Sequence, residues 1–203
     1  MKSERIVMKI AKKISVFSLM YFVLIAACIT SCRYPSTPIR YQSLDSVLTS
    51  GRLEYYGAYY EAEGIDYDVV SLDLYSEGLG LNKEGKMEGV GTNLYVSDIF
   101  VPKAEFVRGK PQSVLPAGSY QSDSTANLMH FLRGLDYDGN YGGSYVLLMG
   151  ESGYSVSIMT VGEMTVAYAG DTLILDGIAT LDKQQKPYPF HYRGKLPMIN
   201  RER

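Results

Sequence analysis

The sequence predicts an all-β fold, and three observations predict it. Apolar and polar residues alternate through much of residues 53–196, the period of a pleated strand and not of a helix. Tyrosine is abundant at 18 residues while tryptophan is absent, and tyrosine suits a sheet with one wet edge. Twenty glycines, with many Asp, Asn and Ser, punctuate these runs as tight turns. In the second half the turns fall every 8–12 residues or so, the spacing of a sandwich or barrel. The expectation is a single antiparallel β-sandwich of about 8–10 strands over residues 52–197, with a closed calycin- or lipocalin-like barrel as the alternative.

Ahead of that body stands a leader. Lys2, Arg5, Lys9, Lys12 and Lys13 form a basic head, and an uncharged apolar run of 16 residues follows from Ile14 to Ile29. A secretory signal has a basic head, a short apolar stretch and small residues at the cut. A membrane-spanning helix wants about 20 apolar residues, so this run is short for a permanent span. Ile29-Thr30-Ser31-Cys32 has the form of a lipobox: an aliphatic residue, two small ones, then the cysteine to be acylated. Ile25-Ala26-Ala27-Cys28 fits the same pattern; Cys32 gives the longer apolar run and leaves the mature chain with no other thiol. The reading is therefore a signal peptide over residues 1–31, lipidation at Cys32 with Cys28 as the alternative, and stable attachment through more than one acyl chain. Cleavage there leaves 172 residues, with 15 Lys and Arg against 21 Asp and Glu. A net charge near −6 with no basic patch argues against nucleic acid.

Residues 32–51 read as a tether. Arg33-Tyr34-Pro35-Ser36-Thr37-Pro38 is extended by its prolines, and Leu44, Val47 and Leu48 have the spacing of a short helix over 41–48. The first strand is expected over 53–62, with a hairpin turn at Glu63-Gly64 and a return strand over 67–75. In that return strand Val70, Leu72 and Leu74 alternate with Ser71 and Asp73, which predicts one packed face and one wetted face. The glycine-rich segment 77–91 reads as a long connection, and 103–112 as polar loop. Between them, 92–101 is a strand ended by Pro102. A short strand is expected near Tyr120, a short strand or helical turn over 127–132, and turn chemistry over 135–143. A meander then runs through 144–149, 154–161, 164–168, 172–181 and 188–196, with a turn at Gly162-Glu163. Residues 198–203 are left as a tail.

Three segments stand in a familiar order: Leu115-Pro116-Ala117-Gly118-Ser119-Tyr120, Gly143-Ser144-Tyr145-Val146 and Tyr192-Arg193-Gly194-Lys195-Leu196. Behind a lipobox, they resemble a group of small all-β lipoproteins of unknown function common in gut anaerobic bacteria. The resemblance implies an envelope lipoprotein. Surface-exported lipoproteins of such lineages tend to carry acids just behind the lipidated cysteine, and Arg33-Tyr34-Pro35 stands there instead, so the resemblance implies the periplasmic face of the outer membrane over the cell surface.

Candidate chemistry is sparse. His130 and His191 are the only histidines, too few to read as a zinc site without a further ligand. No Gly-x-Ser-x-Gly occurs, and Gly142-Gly143-Ser144 lacks the closing glycine of a nucleophile turn. Asp136, Asp138 and Asn140 alternate like the opening of a calcium loop, though the same residues make an ordinary tight turn. Asp73, Asp98, Glu105 and Glu151 are acids that a fold could pair across a cleft. The densest cluster is Tyr55, Tyr56, Tyr59, Tyr60 and Tyr67, which could present rings to a ligand or partner, or simply clad a sheet. The functional expectation is a non-enzymatic, membrane-anchored envelope lipoprotein with no cofactor, binding a small molecule, a glycan or an envelope protein. A structural or assembly component is the alternative, and a hydrolase a distant third.

Overall fold

The computed structural model describes residues 43–108 and 110–202; the leader, Cys28, Cys32 and most of the tether lie outside the described residues. The strands, in chain order, are β1 (Val47–Gly57), β2 (Asp68–Ser76), β3 (Leu79–Leu81), β4 (Met87–Gly89), β5 (Gly91–Val101), β6 (Glu105–Val107), β7 (Lys110–Gln112) and β8 (Gly118–Asp123). They continue as β9 (His130–Leu132), β10 (Leu135–Tyr137), β11 (Asn140–Gly142), β12 (Tyr145–Gly150), β13 (Gly153–Ala169), β14 (Thr172–Leu181), β15 (Tyr188–Gly194) and β16 (Met198–Asn200). Among the described residues no helix is long and apolar enough to cross a membrane.

The fold is all-β and sandwich-like. One ten-stranded sheet runs β12-β13-β14-β15-β1-β2-β5-β9-β8, with β16 beside β1, and the three remaining pairs, β3–β4, β6–β7 and β10–β11, are small hairpins. The large sheet doubles back on itself, because β5 also pairs with β12 and β13 also pairs with β8. Two long strands make that possible. β5 gives its first half to β12 and its second half to β9; β13 gives its first half to β12 and its second to β8. Most pairs are antiparallel, but β1 runs parallel to β15 and β16, and β8 parallel to β9.

The space between is packed with side chains. Tyr55, Tyr120, Phe100, Phe131 and Phe190 are the largest fully buried residues, joined by Leu48, Leu72, Leu74, Leu94, Ile99, Leu115 and Met159. Burying each such side chain contributes about 1.5–3 kcal/mol, so this filled centre carries the fold without a disulfide. β13, β14 and β15 show why the pattern was readable. In β15 the buried Tyr188, Phe190 and Tyr192 alternate with the exposed Pro189, His191 and Arg193.

Several expectations are corrected. Residues 41–48 do not hold the predicted helix in their described part: 43–46 carry no helix and β1 begins at Val47, because Leu48 is needed in the core. β1 ends at Gly57, and a 3₁₀ turn at Glu61–Glu63, closed by left-handed Gly64, replaces the hairpin turn at Glu63-Gly64. Segment 77–91 is not a bare connection but the β3–β4 hairpin; the Asn82 side-chain oxygen accepts the N–H groups of Glu84 and Lys86 and ties its turn. Segment 103–112 likewise forms β6–β7. Gly162-Glu163 does not turn the chain: β13 runs straight through, since a Cβ at Gly162 would stand 2.5 Å from Met159 Sδ and 3.1 Å from Phe131, and glycine lets the strand pass over both. The tail adds β16, whose Leu53↔Met198 register extends β1. Finally, the outer face of β2 is not wet. All nine of its residues are buried, Ser71 and Asp73 included.

Candidate functional site

Alternation along β1 sends Leu53 and Tyr55 inward and Arg52, Glu54 and Tyr56 outward. Pairing then carries this outer set across the sheet. Arg52 stands opposite Asp73, Asp73 opposite Tyr95, and Tyr95 opposite Tyr145, one row over β1, β2, β5 and β12. A second row holds Tyr75 opposite Asn93 and Asn93 opposite Leu147.

Carboxylates sit at the base of this face. Asp73 pairs with Arg52 at 3.0 Å, accepts the Asn93 amide at 2.7 Å and accepts a short hydrogen bond from Tyr75. Glu54 accepts the Tyr56 hydroxyl at 2.7 Å and pairs with Arg201 at 3.0 Å and with Arg52 at 3.3 Å. Burial acts to raise the Glu54 carboxyl, but the Tyr56 and Arg201 hydrogen bonds with the nearby Arg52 charge outweigh it and leave it below its ordinary range. Two acids and two arginines thus nearly cancel, which is how charged groups tolerate burial. Asn93 Oδ1 and Arg52 Nε are the buried side-chain atoms without a hydrogen bond among the described residues.

Asp98 forms a third base. It occupies a bulge in β5, where Ser97 and Asp98 together face Ser71, and it takes a left-handed backbone with φ 46°. Its N–H donates to Ser71 and its carboxylate accepts the Tyr60 hydroxyl at 2.8 Å. Burial raises its pKa in spite of the Tyr60 and Ser97 hydrogen bonds. The same burial, joined by the carboxylate each one faces, raises the hydroxyls of Tyr56 and Tyr60, and burial with the Asp73 charge pushes Tyr145 up to about 12.

Rings stand over these acids. Tyr56, Tyr59 and Tyr60 meet edge to face, with centroids 5.9 and 4.9 Å apart, and Tyr60 leans on Phe100. Tyr95 and Tyr145 lie 5.2 Å apart at 32°. Tyr59 is 55% exposed, whereas Tyr56, Tyr60, Tyr95 and Tyr145 are half-buried.

The five sequence-predicted tyrosines divide. Tyr56, Tyr59 and Tyr60 form this cluster. Tyr55 belongs to the core at 1% exposure, its hydroxyl donating to Asp68. Tyr67 is half-buried just before β2. Arg52, Asn93, Tyr75, Tyr95, Tyr145 and Arg201 complete the face and were not singled out in the sequence; only the polar alternation of Asn93, Tyr95 and Ser97 hinted at a second built surface in β5.

The other candidates lie elsewhere. Asp136, Asp138 and Asn140 belong to the β10–β11 hairpin, where the Asp136 carboxylate accepts the Gly139 N–H and Asp138 and Gly139 are both left-handed, the geometry of a tight turn. Among the described residues no three His, Cys, Asp or Glu side chains cluster to hold a metal. His130 faces its own loop at Leu128 O, and His191 pairs with Asp176 at 2.7 Å on an exposed face. Ser144 is fully buried, its hydroxyl spent on Leu132 O. Glu105 and Glu151 are exposed and apart from the face.

No family model, curated protein or solved structure matches the chain.

Proposed function

We propose that the protein is a non-enzymatic envelope lipoprotein that docks an envelope protein partner through the tyrosine face of β1, β2, β5 and β12. The observation that carries the reading is the anchoring of the rings. Tyr56 is tied to Glu54 and Tyr60 to Asp98, so their hydroxyls are committed and their edges and faces are what the surface offers. Rings held in this way lose little conformational freedom on binding, and tyrosine is enriched at protein contacts for that reason. The edge-to-face arrangement of Tyr56, Tyr59 and Tyr60 gives no flat platform for a sugar ring at that cluster, and among the described residues side chains fill the space inside the sheet. Glu54 and Asp73 are saturated with donors, which suits them to hold a surface and not to move protons.

The envelope placement rests on the leader and on Ile29-Thr30-Ser31-Cys32, with the three resembling segments in support. Labelling cells with palmitate is expected to mark the mature product and to fail in a Cys32→Ser variant; an unlabelled product with an intact leader contradicts the placement. For the face, a photo-crosslinking residue at Tyr59 is expected to give a discrete adduct in intact cells that the same residue at Tyr154 does not. Matching adducts at both sites, or none at Tyr59, contradict the docking reading.

A further inference from the structure

The seam where the large sheet closes holds a chemistry that docking does not use. β12 stands at one end of the strand order and β5 near the other, so the β5–β12 pairing joins the two ends. No cysteine follows Cys32, so no disulfide crosses this seam. Tyr145 stands directly opposite Tyr95 there. Facing residues of an antiparallel pair have β-carbons about 4.5–5.5 Å apart, close enough for their rings to touch. The two rings lie 5.2 Å apart between centroids and only 32° from parallel. Both residues are half-buried: the strands hold the rings in place, and an electron and a proton can still leave them for the outside. The other tyrosine rings in contact are arranged differently. Tyr56–Tyr59 and Tyr59–Tyr60 meet at 73° and 87°, edge against face. Tyr55 and Tyr188 have the phenylalanine rings of Phe106 and Phe190 beside them, which form no phenoxyl radical.

Two phenols held side by side can be joined by oxidation. Taking one electron and one proton from each leaves two phenoxyl radicals, with the unpaired electron shared onto the ring carbons beside the hydroxyl. Near-parallel rings bring those carbons alongside one another, whereas an edge-to-face pair aims the edge of one ring at the centre of the other. A carbon–carbon bond then forms between the two rings, and the hydrogens on the joined carbons pass through water to the two oxygens, restoring both phenols. We propose that Tyr95 and Tyr145 are a dityrosine site, coupled by hydrogen peroxide through a haem peroxidase into a covalent staple across the β5–β12 seam. The peroxide takes up the two electrons and two protons and leaves as two waters. The staple closes the chain between β5 and β12 into a loop, which limits the unfolded state more than the folded one. This inference does not rest on the docking reading, and a partner seated on the tyrosine face would shield the pair.

The test treats the purified acylated protein, dilute in maltoside micelles, with a haem peroxidase and hydrogen peroxide, and then isolates the monomer. The monomer is expected to show dityrosine fluorescence and, after proteolysis, a peptide pair joined through Tyr95 and Tyr145 and lighter by two hydrogens. Tyr95→Phe and Tyr145→Phe should each abolish that linked pair and the monomer's fluorescence, while Tyr59→Phe should leave both unchanged. The coupled monomer should unfold at a urea concentration higher by roughly 1–2 M than untreated protein. Links between other tyrosines in the monomer, or links only between molecules through exposed rings such as Tyr154, overturn the site. A coupled monomer with an unchanged urea midpoint overturns its role as a staple.

Discussion

Two outer faces of the same sheet, built from strands of similar alternation, have opposite fates. Over β13, β14 and β15 the outward residues are wet: Thr165, Asp176 and His191 form a row in which the last two make an exposed pair. Over β1, β2 and β5 the outward residues are covered: Glu54, Ser71, Asp73 and Asn93 are all buried, and their polar groups turn to one another. Polar alternation alone does not say which fate a strand meets. The deciding feature is whether neighbouring strands supply donors in register with the acids. Arg52, Tyr75 and Asn93 do so for Asp73; Asp176 has a single exposed histidine.

Substitutions can break that comparison. The largest loss is expected where the core is truncated: Phe190→Ala, in the wet-faced half, should cost about 4 kcal/mol by leaving a cavity. On the covered face an outward residue should approach that scale. Asp73→Ala strands the Tyr75 hydroxyl and takes one partner each from Arg52 and the Asn93 amide, and is expected to cost about 3 kcal/mol, at the low end for a broken buried pair because Arg52 keeps Glu54 and 24% of its side chain in solvent and Asn93 keeps Leu74 O. Equilibrium denaturation in urea measures both, and a cost for Asp73→Ala below about 0.5 kcal/mol would make the two faces alike. Gly177→Ala should cost about 1–3 kcal/mol, because the new Cβ would stand 2.2 Å from the Phe190 ring.

A smaller effect concerns pH. Glu54 is held below its ordinary value of 4.5, so its contribution is present above that value and is lost as pH falls through its lowered folded pKa. Asp98 has the opposite sign: its folded pKa is raised above 3.8, so its contribution is full below 3.8 and is lost as pH rises through the folded value. Asp98→Asn should therefore flatten the fall of melting temperature just above pH 3.8, while Tyr60 keeps an oxygen to bond. The smallest change is expected on the wet face, where Asp176→Ala should shift stability by no more than about 0.5 kcal/mol.

Much of the fold was legible because one face of most strands packs on a single core. The meander from 144 to 196 follows from alternation and turn residues, and β15 keeps it residue by residue. What was not legible depended on contacts distant in sequence. Gly162 has the composition of a turn, and only the presence of Met159 and Phe131 beneath it makes it a position where the strand passes without a side chain. β16 has three residues and no pattern of its own; β1 recruits it, and Arg201 then reaches Glu54 across 147 positions. The candidate face was half legible for the same reason. Tyr56, Tyr59 and Tyr60 are neighbours in the chain, whereas Tyr95 and Tyr145 join Asp73 only through pairing. Tyr55 could not be told from Tyr56 until the direction of β1 was fixed.

The most direct test of the account is hydroxyl-radical footprinting of the protein in intact cells against the purified protein. The account predicts protection in cells at Tyr56, Tyr59, Tyr95 and Tyr145, with Tyr154 and Val161, both 63% exposed, reacting equally in the two samples. Equal reactivity of the four tyrosines in cells and in isolation would contradict it.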